Sequence, residues 1–136
     1  MANSNPLYTP QREKAGAQTF GKYMYQYHWA LYRIFKEHEV GKEYAVFIEL
    51  HEDIVLADSL EVAQVKFEFN QVKTTTGKYT DKKLIKQDPK TKSSTLGKLI
   101  SSGTNPVYFD KVDSINLVAS NGFNIPLKTK GTDLQD

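Results

Sequence analysis

Residues 43–73 read EYAVFIELHEDIVLADSLEVAQVKFEFNQVK. Three runs rich in β-branched and aromatic residues follow one another here: EYAVFIEL (43–50), DIVLA (53–57) and EVAQVKFEFNQVK (61–73), with the turn-prone Asp58-Ser59 before the last. Extended runs punctuated by turn residues predict a hairpin or a three-stranded meander. The tripeptide Gln-Val-Lys occurs twice, as Gln64-Val65-Lys66 and Gln71-Val72-Lys73, seven residues apart. Side chains alternate across a strand, so an odd separation sends the two copies to opposite faces of one unbroken strand. Along 66–73 the even positions, Lys66, Glu68, Asn70 and Val72, read as a largely solvent face, while Phe67, Phe69, Gln71 and Lys73 continue a core face. A glutamine and a lysine are costly to bury unpaired, so Gln71 and Lys73 are expected where that face opens into a polar pocket at the strand end. The alternative is a strand end opening directly into solvent. Gln64 and Lys66 read as a solvated pair.

Upstream, Thr9-Pro10 offers a hydroxyl cap followed by a proline suited to the first helical turn. Phe20, Tyr23, Met24, Tyr27, Leu31, Ile34 and Phe35 then recur at three-and-four spacing before Gly41, which predicts a long amphipathic helix packed in the core. Its aromatic residues could stack on bases, but aromatics at helical spacing belong more often to a core. Downstream, residues 74–92 are polar and lysine-rich and read as a surface loop, with Thr80 placed to cap a short helical turn and Pro89 as a breaker. SSTLGKLI (93–100) predicts a second helix, and SINLVAS (114–120) a late strand ending at the turn Asn121-Gly122. The expected class is α/β, with a central sheet flanked by helices in the order α-β-β-β-α-β. Residues 1–9 read as a flexible start and 128–136 as a tail to one domain spanning 1–136.

A chain of 136 residues has room for a core without disulfides or a structural metal. It contains no cysteine, which excludes a thiol nucleophile and any cysteine-held zinc or iron–sulfur centre. There is no signal-peptide core and no apolar window of spanning length, so a cytoplasmic location without membrane contact is expected. Positive charge is segregated: Lys73 to Lys98 holds eight lysines against two acids, while the rest of the chain is net acidic. Such a stretch can follow a phosphate backbone, although lysine runs are more often solvated loop. His28, His38 and His51 do not cluster by spacing, and His51 reads as structural. No glycine-rich phosphate loop and no serine–histidine–acid motif occurs.

Phosphodiester hydrolysis asks for hard oxygen ligands holding a divalent ion beside a lysine that orients water and neutralises developing charge. Gln71 and Lys73 supply an amide and a lysine. The carboxylates must come from neighbouring strands: Asp53 opens DIVLA, Glu49 ends the preceding run, and Glu52 sits beside the turn. Gln71 as a neutral ligand leaves the ion dependent on Asp53, Glu49 and the substrate phosphate for charge, so weak metal affinity without DNA is expected.

These residues carry a resemblance. FIELHEDIVLAD, FEFNQVKTTTGKYT, SSTLGKLI and VASNGFNI, in that order, resemble the N-terminal endonuclease domain of the CD-NTase-associated dsDNA endonucleases, effectors of bacterial anti-phage systems. The likeness runs from about Tyr25-Gln26 to Leu127. It implies a restriction-endonuclease-like core of the PD-(D/E)xK superfamily with a mixed central sheet, in its Gln-x-Lys variant. It further implies that Asp53, Gln71 and Lys73 are catalytic, because the second Gln-Val-Lys, unlike the first, is followed by the family's Thr and Gly-x-aromatic-Thr. Glu49 matches an acidic position of the family, and Gln26 a helix position that supports the ligands. Tyr79 stands where the family commonly has Trp. The resemblance implies magnesium at Asp53, Gln71 and Glu49, with manganese able to substitute, and duplex DNA as substrate. Lys78, Lys82, Lys83, Lys86, Lys90 and Lys92 are expected on its backbone. Family members usually continue into a sensor or partner domain, so homo-oligomerisation or a regulatory domain outside this chain is expected. The competing reading is a module of the same fold that binds nucleic acid or oligomerises, silent in catalysis or awaiting activation.

Overall fold

The computed structural model describes residues 15–126. Helix α1 (Ala15–Val40) is followed by β1 (Ala45–Leu50), β2 (Glu52–Ala57) and β3 (Phe67–Lys73), then by the two-residue strand β4 (Tyr79–Thr80) and the single-turn helix α2 (Asp81–Ile85). Helix α3 (Thr95–Gly103), a 3-10 turn at Phe109–Lys111, β5 (Val112–Ala119) and β6 (Phe123–Asn124) complete the order. The predicted helix–three strands–helix–strand succession is present, α2 is the short helical turn expected after Thr80, and β4 and β6 are added. Residues 74–92 are accordingly not loop throughout: Thr80 caps α2, its hydroxyl accepting from the Lys83 N–H. The proposed helix start at Thr9-Pro10, the flexible 1–9 and the tail 128–136 lie outside the described residues.

The main sheet runs β1-β2-β3-β5. The expected meander is there, β1 and β2 antiparallel with Phe47 opposite Val55, and β2 and β3 antiparallel with Val55 opposite Phe69. Strand β5 joins β3 in parallel, Gln71 facing Leu117, which requires the crossover that carries α3. A second, two-stranded pairing sets Tyr79 of β4 beside Phe123 of β6.

Both faces of β3 are covered, and this changes its reading. On one face Ile54, Leu56 and Val72 pack against Ala30 of α1, with Tyr25, Trp29, Val46 and Val118 around them. The even positions of β3 are therefore not a solvent face. Asn70 is only 1% exposed, and its Oδ1 accepts from Asn116 Nδ2 at 3.1 Å. Glu68 receives both arms of Arg33, Nη1 at 2.5 Å and Nη2 at 3.2 Å, while Glu37 takes Nη2 at 2.8 Å. Burial opposes the guanidinium charge, but bonds to Glu68 and Glu37 outweigh it and hold Arg33 above its ordinary pKa. The opposite face carries Phe69, whose ring meets Tyr108 edge-on at 5.2 Å.

Helix α1 is turned differently from its apolar spacing. It presents Gln26 and Ala30 to the sheet, whereas Phe20 is 64% and Phe35 60% exposed, with Tyr23, Tyr27 and Leu31 also exposed. The aromatic stripe read from sequence as core thus faces outward, because the sheet takes the neighbouring stripe of Gln26 and Ala30, flanked by Tyr25 and Trp29. Gly41 does end the helix as expected, at φ 69° with its N–H on His38 O. The extended reading of VAQVK also gives way: Gln64 and Val65 donate to Glu61 O in a turn, and only Val65 of that segment is buried.

Helix α3 is capped by Ser94, whose hydroxyl accepts from Gly97 N–H, and its close approach to β5 depends on Gly103. A Cβ at Gly103 would stand 1.8 Å from Ile115 Cδ1 and 2.8 Å from Cγ1. Ile115 is at the margin of exposure and can yield in part, so Gly103→Ala is expected to destabilise by about 1–2 kcal/mol. Thermal melting should show the loss. Adding Ile115→Val, which removes Cδ1, should restore part of it.

Candidate active site

At one end of the sheet, β1, β2 and β3 close against the N-terminal half of α1 around a cleft of about 440 Å³. Its walls include Gln26, Glu49, Asp53, Val72 and Lys73. Thr19, Lys22, Tyr23 and Gln26 come from α1, at i, i+3, i+4 and i+7, which is one helical face. Thr19 and Lys22 are not among the residues expected at a site, and Tyr23 is expected in the core. The signal was available: polar residues share that spacing.

The backbone is strained where it supplies the first carboxylate. Glu49 has φ 56° and His51 φ 64°, a region that costs a non-glycine residue free energy and is found disproportionately at functional sites. Strict alternation would send Glu49 to the face of Phe47. Instead Gln26 Nε2, on α1, donates to Glu49 Oε1 at 2.6 Å, while Leu50 lines the opposite, apolar hollow beside Phe47 and Phe69. The same Gln26 amide donates to the Asp53 carbonyl oxygen at 3.2 Å. Gln26, only 6% exposed, therefore ties together the chain at both acidic positions, as a supporting residue would.

Asp53 is anchored by the ladder itself. The β2–β3 pairing ends with Ile54 opposite Asn70, and one step further the Val72 N–H donates to Asp53 Oδ2 at 2.7 Å. A side-chain carboxylate thus takes the place of a backbone acceptor, which fixes its position and leaves Oδ1 without a hydrogen bond among the described residues. Lys73, the last residue of β3, lines the same cleft. Glu49, Asp53, Gln26 and Lys73 are brought together.

Residues 14–136 match the family model described as Cap4, dsDNA endonuclease domain. The chain belongs to this family. Membership implies cleavage of double-stranded DNA in a CBASS-type defence context. Comparison with curated proteins and with solved structures gives no significant match.

Within this Cap4-family domain, Gln71 is the predicted site residue that does not line the cleft. It is 7% exposed, and its Oε1 is buried without a hydrogen-bond partner. The sequence reading had Gln71 and Lys73 emerging together into one pocket. Gln71 is enclosed with its Oε1 unpartnered, whereas the strand-terminal Lys73 lines the cleft. Glu52 is also turned away, accepting from the Ser102 hydroxyl of α3. The His51 ring packs tilted against Tyr108, centroids 5.5 Å apart, consistent with a structural residue.

Among the described residues no group of three His, Cys, Asp or Glu gathers as a metal site. The acidic donors of the cleft are two, Glu49 and Asp53. Lys78, Lys82, Lys83, Lys86, Lys90 and Lys92 are all exposed, from the approach to β4 through α2 to the turn beyond it. No described helix is long and apolar enough to cross a membrane.

Proposed function

We propose that this domain hydrolyses phosphodiester bonds of duplex DNA with magnesium, using Asp53, Glu49 and Gln71 as oxygen donors and Lys73 beside them, on a restriction-endonuclease-like core. The observation that carries the reading is the convergence of two carboxylates and a lysine in one cleft at the sheet end. The mixed order β1-β2-β3-β5, with one parallel pair, supports the core assignment.

The donor chemistry fits a hard divalent cation. Asp53 and Glu49 each engage one carboxylate oxygen in a hydrogen bond, and the buried Gln71 Oε1 is a carbonyl oxygen lacking a partner. When bound, magnesium supplies Lewis-acid polarisation of the phosphate and a more acidic water. The chain's own residues do the rest. Val72 N–H and Gln26 Nε2 hold the two acids in place before substrate arrives, which lowers the cost of organising the site. Lys73 positions the attacking water and stabilises negative charge growing on the phosphoryl oxygens. The exposed lysines 78, 82, 83, 86, 90 and 92 offer compensating charge to the duplex backbone.

Purified protein is expected to nick or degrade duplex DNA with magnesium, to stop in EDTA, and to resume with added magnesium or manganese. Cleavage that continues in EDTA would refute the metal assignment. Titration calorimetry should find only weak magnesium binding in the absence of DNA, since two acids and a neutral amide provide little fixed charge.

A further inference from the structure

Beyond the catalytic cleft, the crossover from β4 to α3 shapes a second, wide-open hollow of about 390 Å³. Tyr79, Lys83, Lys86, Asp88, Thr95 and Lys98 are among its walls. Tyr79 forms the floor: it is only 7% exposed, and its hydroxyl lies 2.8 Å from Thr95 Oγ1, joining β4 to α3. Lys83 Nζ sits 5.9 Å from the Tyr79 ring centroid. Lys98 enters from α3, so lysines distant in sequence face one cavity.

The one acid in this wall is engaged by the backbone. Asp88 Oδ1 accepts from the Lys90 N–H at 2.8 Å and the Thr91 N–H at 2.9 Å, while Asp88 N–H donates to Ser93 O at 3.0 Å. Those N–H groups hold Asp88 below its ordinary carboxylate range. Its charge is thus directed into the turn that shapes the rim, and three lysines line the hollow, Lys83 Nζ also donating to the Lys78 carbonyl oxygen at 3.4 Å. Position matters equally. Tyr79 follows Lys73 by six residues, a path of at most about 21 Å, less than one duplex turn of about 34–36 Å. A single duplex with one phosphate in the catalytic cleft has further backbone within reach of this hollow.

We infer that the Tyr79–Lys83–Lys86–Lys98 hollow is a phosphate-binding pocket for the DNA backbone, separate from the catalytic cleft, which sets the position of the duplex relative to the scissile bond. The inference rests on duplex DNA being the substrate but on no catalytic assignment. Of the six lysines read from sequence as backbone contacts it selects Lys83 and Lys86, and it adds Lys98, which that reading did not assign to DNA.

The test is equilibrium binding of a duplex of about two helical turns, followed by anisotropy in EDTA over a series of salt concentrations. Each of Lys83→Ala, Lys86→Ala and Lys98→Gln should reduce the slope of log affinity against log salt by about 0.9. Lys42→Ala, just beyond the far end of α1, should leave it unchanged. An unaltered slope for Lys98→Gln in protein with wild-type melting behaviour would overturn the inference, as would failure of the duplex to bind. A parallel titration with inorganic phosphate separates the two sources of the anion. If phosphate binds in a Lys98-dependent manner while the duplex slope is insensitive to Lys98, the pocket serves a small anion and the DNA inference fails. Because binding is read without cleavage, an error in the metal or Lys73 assignment would leave this outcome intact.

Discussion

Lys73→Ala is expected to reduce duplex cleavage by about a hundredfold to a thousandfold, the usual range for losing one group that stabilises transition-state charge, while Lys66→Ala cleaves as the parent does. The two lysines occupy the same place in identical tripeptides, so the two residues before each are matched. Their surroundings differ. Lys73 ends β3 at the cleft that holds Glu49 and Asp53. Lys66 lies just before β3 and spends its ammonium group on the Asp110 carbonyl oxygen at 2.6 Å, with its own N–H on Asp58 Oδ1 at 2.7 Å. Lys66→Ala should therefore show a small stability change, about 1 kcal/mol or less for an exposed hydrogen bond, and no catalytic one. Duplex binding by Lys73→Ala should persist, since the other lysines remain. Equal loss of cleavage from both substitutions would remove the assignment of the site to the second copy.

Asp53→Asn is expected to lower cleavage at least as far, by about a hundredfold or more, with the fold retained. The carboxylate has two tasks that the pair of substitutions Asn and Ala separates. One oxygen accepts from the Val72 N–H at the end of the β2–β3 ladder, and the amide oxygen of asparagine can do the same. The formal charge, which the metal requires, is what asparagine lacks. Asp53→Ala removes both and strands a partly buried N–H, at a cost of about 1–3 kcal/mol. Melting curves should rank parent, Asn and Ala in that order, while cleavage is lost in both variants. Parent-like cleavage by Asp53→Asn would sink the metal-ligand role. A large drop in melting temperature for Asn, as great as for Ala, would mean that the charge supports the strand end rather than the chemistry.

Much of the scaffold was legible because it depends on local rules. Short β-branched runs with turn residues between them predicted β1, β2 and β3, and the hydroxyls of Thr80 and Ser94 each cap the helix expected after them. Gly41 and Gly122 both take the positive φ that a stop and a turn require. Asp53, Glu49 and Lys73 were nameable for a similar reason: the order of the strands was readable, and residues at strand ends on one side of a sheet must come near one another.

Local sequence is silent on what covers a surface. Phe20, Tyr23, Tyr27, Leu31 and Phe35 have core periodicity, yet α1 lays Gln26 and Ala30 on the sheet and leaves that stripe exposed. Periodicity reports that a helix has an apolar face; it does not report which face meets this sheet. Glu68 and Asn70 looked like solvent positions because they are polar, but Arg33 and Asn116 satisfy them in place. Polar side chains can be interior when their partners come from distant sequence.

The main succession of elements, the absence of thiol chemistry, and the strand ends from which acidic and basic groups could act are all legible in the sequence alone. Those follow from backbone preferences within a few residues and from composition. Long-range packing settled that Glu49 turns toward Gln26, that Gln71 is enclosed while Lys73 lines the cleft, and that Lys83, Lys86 and Lys98 share a hollow. Each of these is set by the docking of α1 and α3 on opposite faces of one sheet. Docking is decided by summed packing and hydrogen-bond satisfaction between segments far apart in the chain, and no local window of sequence contains that sum.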